Sequence, residues 1–258
     1  MRTVDGRNLT YDLRETLGRA IVGGAFEEGF PTESELSRTH GLSRSVTREA
    51  VKMLTAKGLL SARPRVGTIV EPSDRWNLLD PDVLRWLLER QFSLDLLRQF
   101  SELRLAIEPT AAALAAQFQS SPAITAIEDA FARMQAAAAG QDDVLKADIQ
   151  FHIAILQATQ NPFFRQFEEM VRTALHTSIQ FTNRFSGHTA NIDQHGDVLE
   201  AIRTGEGDRA RAVMYRLIDE VLGMIDQAQR DENAEEAASS AVAVVRRANA
   251  NETAAGAG

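Results

Sequence analysis

The chain has 258 residues, of which 44% are hydrophobic and none is cysteine, and its formal net charge is −8. That length and apolar content suffice for two modest domains with real cores, and the missing thiols exclude disulfides and cysteine nucleophiles. No apolar run approaches the roughly 18 residues of a membrane span and no signal-like segment opens the chain, so a soluble, cytoplasmic protein is expected.

The charge is unevenly placed. Residues 36–70 hold seven Lys/Arg against one acid, Glu49, a local net of +6, whereas residues 71–258 sum to −11. A basic patch on an acidic chain draws DNA to one surface and keeps it off the rest. The plainer reading is a solvated charged face.

After a short terminus, a helix is predicted from Leu9 to about Ala25, with Leu13, Leu17, Ala20 and Ile21 in one stripe and Gly23-Gly24 at its end. Thr32 and Glu35 then stand three apart, the spacing of a capping box. Leu36 begins the next helix, and Gly41 suits its left-handed end. Ser43 caps a further helix from Arg44 to about Lys57, closed by Gly58. Val46, Ala50, Met53 and Leu54 recur at helical spacing and should be buried. Ser45, Arg48 and Lys52 point the other way, with Arg44 at the exposed first turn. Two helices joined by a glycine turn, the second basic on its outer face, meet the requirements of a major-groove reader. Leu59–Ala62 and Thr68–Val70 can pair around Arg63-Pro64-Arg65-Val66-Gly67, a wing that would lay two arginines beside the DNA.

Glu71-Pro72-Ser73 marks a boundary. In DRWNLLDPDVLRWLLERQ, Asp80 caps a helix with Pro81 at its first position, and Trp76, Leu79, Leu84, Trp86 and Leu87 read as a strut packing one domain on the next. From Ser93 onward only helical periodicity and helix-breaking turns occur. The first long helix covers about Leu94 to Phe118, with Leu96, Phe100, Leu103, Ile107, Ala111, Leu114 and Phe118 in one stripe and a kink expected at Pro109. Helices follow at about Pro122–Ala139, Asp142–Thr159, Pro162–Phe185, Ile192–Thr204 and Asp208–Gln229. The fold class is therefore mainly α, a winged helix-turn-helix plus an all-α bundle. The domains divide as 8–72, the winged unit; 73–92, linker and strut; 93–230, the bundle; and 231–258, a tail expected to be disordered with at most a fraying helix.

Few residues in the bundle suggest chemistry. Asp148 and His152 are four apart on one helix and face the same way; with His195 from another helix they could bind a divalent metal, or form an ordinary helical ion pair. Arg104 suits bidentate capture of a carboxylate, or an ion pair with Glu102 or Glu108. Asn161-Pro162 reads as a helix start. His176, Gln180, Asn183, Arg184 and His188 could line a polar cavity or lie at the surface. Hydrolase elbows, phosphate-cradling glycine loops and H-E-x-x-H are all missing from the sequence.

The run PTESELSRTHGLSRSVTREAVKMLTAKGLL…GTIV, followed by ELRLAIEPTAAALAA, Asp148-x-x-x-His152, ATQNPFF and QHGDVLEAI, resembles the GntR family of bacterial transcription regulators. The likeness is to its FadR-type branch with the α-helical FCD ligand-binding domain, over roughly residues 9–230. The resemblance implies that Arg44, Ser45 and Arg48 contact bases and phosphates and that Gly67 is the wing glycine; Ser43, Lys52, Arg63 and Arg65 are expected to contact DNA beside them. Ser34 stands where many relatives carry a DNA-contacting arginine. It further implies that Asp148, His152 and His195 ligate a divalent metal, zinc or similar, with Arg104 holding an effector carboxylate nearby. The family's third histidine would fall at Leu217, which cannot ligate. RWNLLDPDVLRWLLE also resembles regulators of galactonate and related sugar-acid catabolism. The expectation is a homodimeric, effector-responsive repressor reading a palindromic operator in double-stranded DNA, with a sugar acid (a hexonate such as galactonate) as effector and no membrane partner. The alternatives are a metal-dependent hydrolase or lyase with an accessory DNA-binding domain, and a DNA-architectural protein without effector.

Overall fold

The computed structural model describes residues 8–26, 29–90, 93–185 and 191–255, leaving aside the side chains of 177–185 and 235–255. The chain divides into two compact units, Met1–Phe92 and Ser93–Gly258.

The first unit comprises α1 (Leu9–Val22), α2 (Glu33–His40), α3 (Arg44–Ala56), β1 (Leu60–Arg63), β2 (Gly67–Val70) and α4 (Pro81–Arg90). Its punctuation is local. The Thr32 hydroxyl accepts from Glu35 N while the Glu35 carboxylate accepts from Thr32 N at 2.9 Å, the complete capping box. Gly41 closes α2 at φ 63°, and Ser43 caps α3. β1 and β2 pair antiparallel in the register Leu60↔Val70 to Arg63↔Gly67. Gly67 takes φ 96° and Arg65 φ 66°; only the first is a glycine, so the wing tip holds an arginine in a conformation that L side chains rarely adopt.

One face of α3 differs from its sequence pattern. Thr47 and Val51 are buried with Ala50 and Leu54, while Val46 and Met53 are half-buried. Thr47 can lie inside because its hydroxyl donates to the Ser43 carbonyl at 3.2 Å, which removes the cost of burying it.

Helix α4 is built into this unit. Val83 and Trp86 join the core of Leu13, Leu17, Ile21 and Leu54, and the Trp86 ring occupies the space over Gly18, where a Cβ would come within 2.3 Å of it. Charged groups fasten the same junction. Lys57 Nζ lies 2.7 Å from Asp80 and 2.8 Å from Asp82, Arg85 lies 2.7 Å from Glu15, and the Trp86 indole donates to Glu15 at 3.0 Å. Leu79, expected in the apolar cluster, is exposed.

The second unit is all helix: α5 (Leu94–Phe118), α6 (Ser121–Ala138), α7 (Val144–Ala158), α8 (Pro162–Arg165), α9 (Glu168–Phe185), α10 (Ile192–Arg203) and α11 (Gly207–Ala255). The segment read as one helix from Pro162 breaks at Gln166–Phe167, where the amides bond three residues back, to Phe163 and Phe164, and tighten the chain into a turn. α11 packs along α5, and its helical backbone continues to Ala255 through the segment read as a tail. α7 is the most enclosed element, with ten of its fifteen residues buried.

The buried face of α5 departs from the apolar stripe. Phe100 and Ala111 of the expected stripe are buried, but Leu97, Ser101, Arg104, Glu108 and Ala115 face inward with them, Leu96, Leu103, Ile107 and Leu114 are half-buried, and Phe118 is exposed. A line of polar residues runs down the inside of the bundle, and it leads to the site.

Candidate functional site

Two groups of side chains carry the sequence expectations, one in each unit. On the first, Ser43, Arg44, Ser45, Arg48 and Lys52 are all exposed on α3. The helix presents its N-terminus outward, and Ser43 and Ser45 share a hydroxyl contact at 3.0 Å. Arg48 is held by Glu33 of α2 at 3.2 Å and Lys52 by Glu49 at 2.9 Å, while Arg44 has no ion pair among the described residues. Arg63, Arg65 and Gly67 are exposed at the wing tip, and Ser34 is exposed beside Glu33. Everything here points outward.

The second group is buried. Asp148 and His152 come from α7, His195 from α10, and Arg104 and Glu108 from α5; Arg104, Glu108 and His152 are 3%, 1% and 2% exposed. Ligand atoms of Asp148, His152 and His195 all lie within 4.8 Å of one another, so the three residues singled out from the sequence do converge. The two imidazoles meet edge to face at 5.5 Å, and Phe151 packs on both.

The hydrogen bonds around the rings determine what faces the centre. His195 Nδ1 lies 2.7 Å from the main-chain oxygen of Asn191, which can only accept, so Nδ1 carries the proton and Nε2 is left facing inward. Nε2 approaches Asp148 Oδ1 to 3.0 Å, yet the two are not aligned as a hydrogen bond, and both atoms are buried without a partner. His152 Nδ1 bonds Glu108 Oε2, and its Nε2 stands 3.6 Å from Asp148 Oδ1.

Burial alone would raise the Glu108 carboxyl, but Arg104 and His152 outweigh it and hold it at about 2. Glu108 therefore accepts, and His152 Nδ1 donates. Asp148 is likewise pushed up by burial and held below its ordinary value first by His195, whose Nε2 is at hydrogen-bonding distance, and then by the charges of His195, His152 and Arg104. With neutral imidazoles, two lone pairs and one carboxylate oxygen would point into a buried centre. A proton or a cation must answer them. Two nitrogens and an oxygen suit a divalent metal of the zinc kind, so the donor set fits.

Arg104 is paired with Glu108, one of the partners weighed from the sequence: Nε donates to Oε1 at 2.5 Å and Nη2 reaches Oε2 at 3.5 Å. Its other N–H groups have no acceptor among the described residues. What sequence reasoning missed is the second bond of Glu108, to His152, 44 residues away. The only available signal was the spacing of Arg104 and Glu108, four apart on a face shared with alanines. Leu217 is buried on α11 and offers no donor. His176 is exposed, while the side chains of Gln180, Asn183, Arg184 and His188 lie outside the described residues.

A winged helix-turn-helix with a basic outer face, followed by a helical bundle with a polar centre, defines a DNA-binding regulator that answers to a small molecule. Family models agree: residues 10–70 match the bacterial regulatory proteins of the gntR family, and residues 99–220 match the FCD domain. The chain belongs to the GntR family, in its branch with an FCD domain, and the members are transcription regulators rather than enzymes. That membership sets aside the hydrolase or lyase alternative.

The chain is 34% identical to the galactonate operon transcriptional repressor of Escherichia coli, over 82% of this chain and 94% of that one. It is also 34% identical to the HTH-type transcriptional regulator YieP of the same organism, over 79% and 90%. A solved structure of Lar, described as controlling the Listeria monocytogenes agr system, shares the fold with a TM-score of 0.56 at 19% identity, covering 86% of this chain and 98% of that one. The gntR match implies DNA binding, and the FCD match implies a small-molecule effector.

Proposed function

We propose that the protein is a homodimeric repressor released from its operator by a sugar acid, a hexonate such as galactonate, that binds with a divalent metal in the second unit. The observation that carries this reading is the pair of unpartnered buried atoms, His195 Nε2 and Asp148 Oδ1, beside the Arg104–Glu108 pair. Asp148, His152 and His195 would hold the metal, which when bound supplies a Lewis-acidic positive centre. The edge of Arg104 that meets no acceptor among the described residues takes the carboxylate.

Charge favours a monoacid. Arg104, Glu108 and Asp148 with two neutral imidazoles sum to −1. A divalent cation makes the centre +1, and one carboxylate neutralises it, so a single acid group is buried at least cost. The likeness to the galactonate operon repressor supports the same class of ligand.

At the other end, two winged units read the half-sites of a palindrome in double-stranded DNA, in the cytoplasm. Arg44, Ser45 and Arg48 reach bases and phosphates, Ser43 and Lys52 flank them, and Arg63, Arg65 and Gly67 bring the wing to the backbone. The effector acts by favouring a dimer geometry that no longer fits the operator, since a ligand shifts only the equilibrium whose states it binds differently. A thermal-shift screen of hexonates and simple hydroxy acids, with and without chelator, tests the reading. Stabilisation by a hexonate that disappears with chelator is expected; hexonates that never stabilise the protein would sink it.

A further inference from the structure

We infer that Glu108 is a positioning residue of the metal centre, fixing the His152 ring so that Nε2 faces Asp148 and His195, while the same carboxylate holds Arg104 for the effector. The inference rests on the metal reading above and adds a residue that the ligand set does not contain.

Three observations carry it. Glu108 is buried to 1% exposure, and both of its oxygens are engaged: Oε1 by Arg104 Nε and Oε2 by His152 Nδ1. A carboxylate spent in this way is not itself a ligand, and it stands on the far side of the imidazole from Asp148. Finally, imidazole has only two nitrogens. Once Nδ1 is committed to donating, Nε2 must be the ligating atom and the ring has one usable orientation. His195 is fixed differently, by the main-chain oxygen of Asn191, which no side-chain substitution removes. Glu108 is therefore the mutable half of the arrangement.

The replacement Glu108→Gln separates this role from simple filling of space. Glutamine has the same shape, but its amide can donate to His152 Nδ1 as readily as accept from it. Donation would place the proton on Nε2 and disable the ligand. The guanidinium of Arg104 would lose its counter-charge in the same step, so one substitution disturbs the metal end and the anion end together.

The test uses the full chain and metal alone. Zinc affinity is measured for wild type and Glu108→Gln by competition with a chromogenic chelator, and cobalt(II) absorption spectra report the ligand field. Metal-free melting curves report the fold. The expected result is a loss of about 10–100-fold in zinc affinity, the range for removing such an outer partner, with a changed cobalt spectrum. Wild type that fails to bind zinc overturns the metal reading and this inference with it. Wild type that binds, with a variant equal in affinity and spectrum, overturns the inference alone. Should the variant not fold, long-range proton–nitrogen NMR of zinc-loaded wild type decides: a protonated Nδ1 and a coordinated Nε2 at His152 are expected, and coordination through Nδ1 overturns the proposal.

Discussion

The two units place their functional groups in opposite ways. On the winged unit Arg44, Ser45, Arg48 and Lys52 are exposed, Arg48 paired with Glu33 and Lys52 with Glu49 at the surface. In the bundle Arg104, Glu108, Asp148, His152 and His195 are buried and drawn from α5, α7 and α10. A surface that reads DNA works through long-range charge and must stay open to water, whereas a centre that discriminates one small acid works through desolvated contacts that count for more in a dry interior. On the function proposed above, output and input within this chain would follow those separate rules.

The sharpest difference should appear on truncation. Arg104→Ala leaves Glu108 buried with only His152 to answer its charge, and the expected loss is about 3–5 kcal/mol. Both tryptophans, Trp76 and Trp86, lie in the first unit. The loss should therefore show in circular dichroism melting but not in tryptophan fluorescence. Arg44→Ala and Arg48→Ala should do the reverse: no change in melting, and about 1–3 kcal/mol of operator discrimination lost per base contact, doubled in a dimer, by anisotropy titration.

Smaller effects refine the picture of the first unit. Gly18→Ala drives a methyl to 2.3 Å from the Trp86 ring, and overpacking of this kind costs about 1–3 kcal/mol; it should shift tryptophan fluorescence and lower its melting midpoint. Glu15 gives the pH dependence. The Arg85 hydrogen bond, against the push of burial and with help from Trp86 and Arg19, holds its carboxyl at about 2 instead of 4.5. A depressed pKa stabilises the folded state above the unfolded value and loses that contribution as pH falls. The stability difference between wild type and Glu15→Gln should therefore be present at neutral pH and fade as pH drops from 4.5 towards 2. A difference that does not change with pH would mean that Glu15 is not paired in solution.

Much of this was legible beforehand, and unevenly. Caps and turns are local, so Thr32, Glu35, Gly41, Ser43 and Gly58 marked the winged unit closely, and the charge count located its basic face. The bundle's helices were legible from period, but its buried face was not. Apolar periodicity picks out Phe100 and Ala111 on the buried face, but it also counts the half-buried Leu96, Leu103 and Ile107 and passes over Ser101, Arg104 and Glu108, which face inward. The same blindness hid Thr47 in α3, whose hydroxyl is satisfied by Ser43. Asp148, His152 and His195 were found because spacing and family likeness both pointed to them. Glu108 was visible only as a partner for Arg104. Its bond to His152 joins residues on different helices, and no spacing rule reaches that far.

Operator release is the most direct measurement of the whole account. Full-length protein bound to its operator fragment is titrated with D-galactonate, in wild type and His152→Ala, with and without a chelator. Galactonate is expected to release wild-type protein, and both the chelator and the substitution are expected to prevent release while leaving operator affinity in the absence of galactonate unchanged. Release that persists undiminished in His152→Ala and in chelator would contradict the claim that effector and metal act through this buried centre.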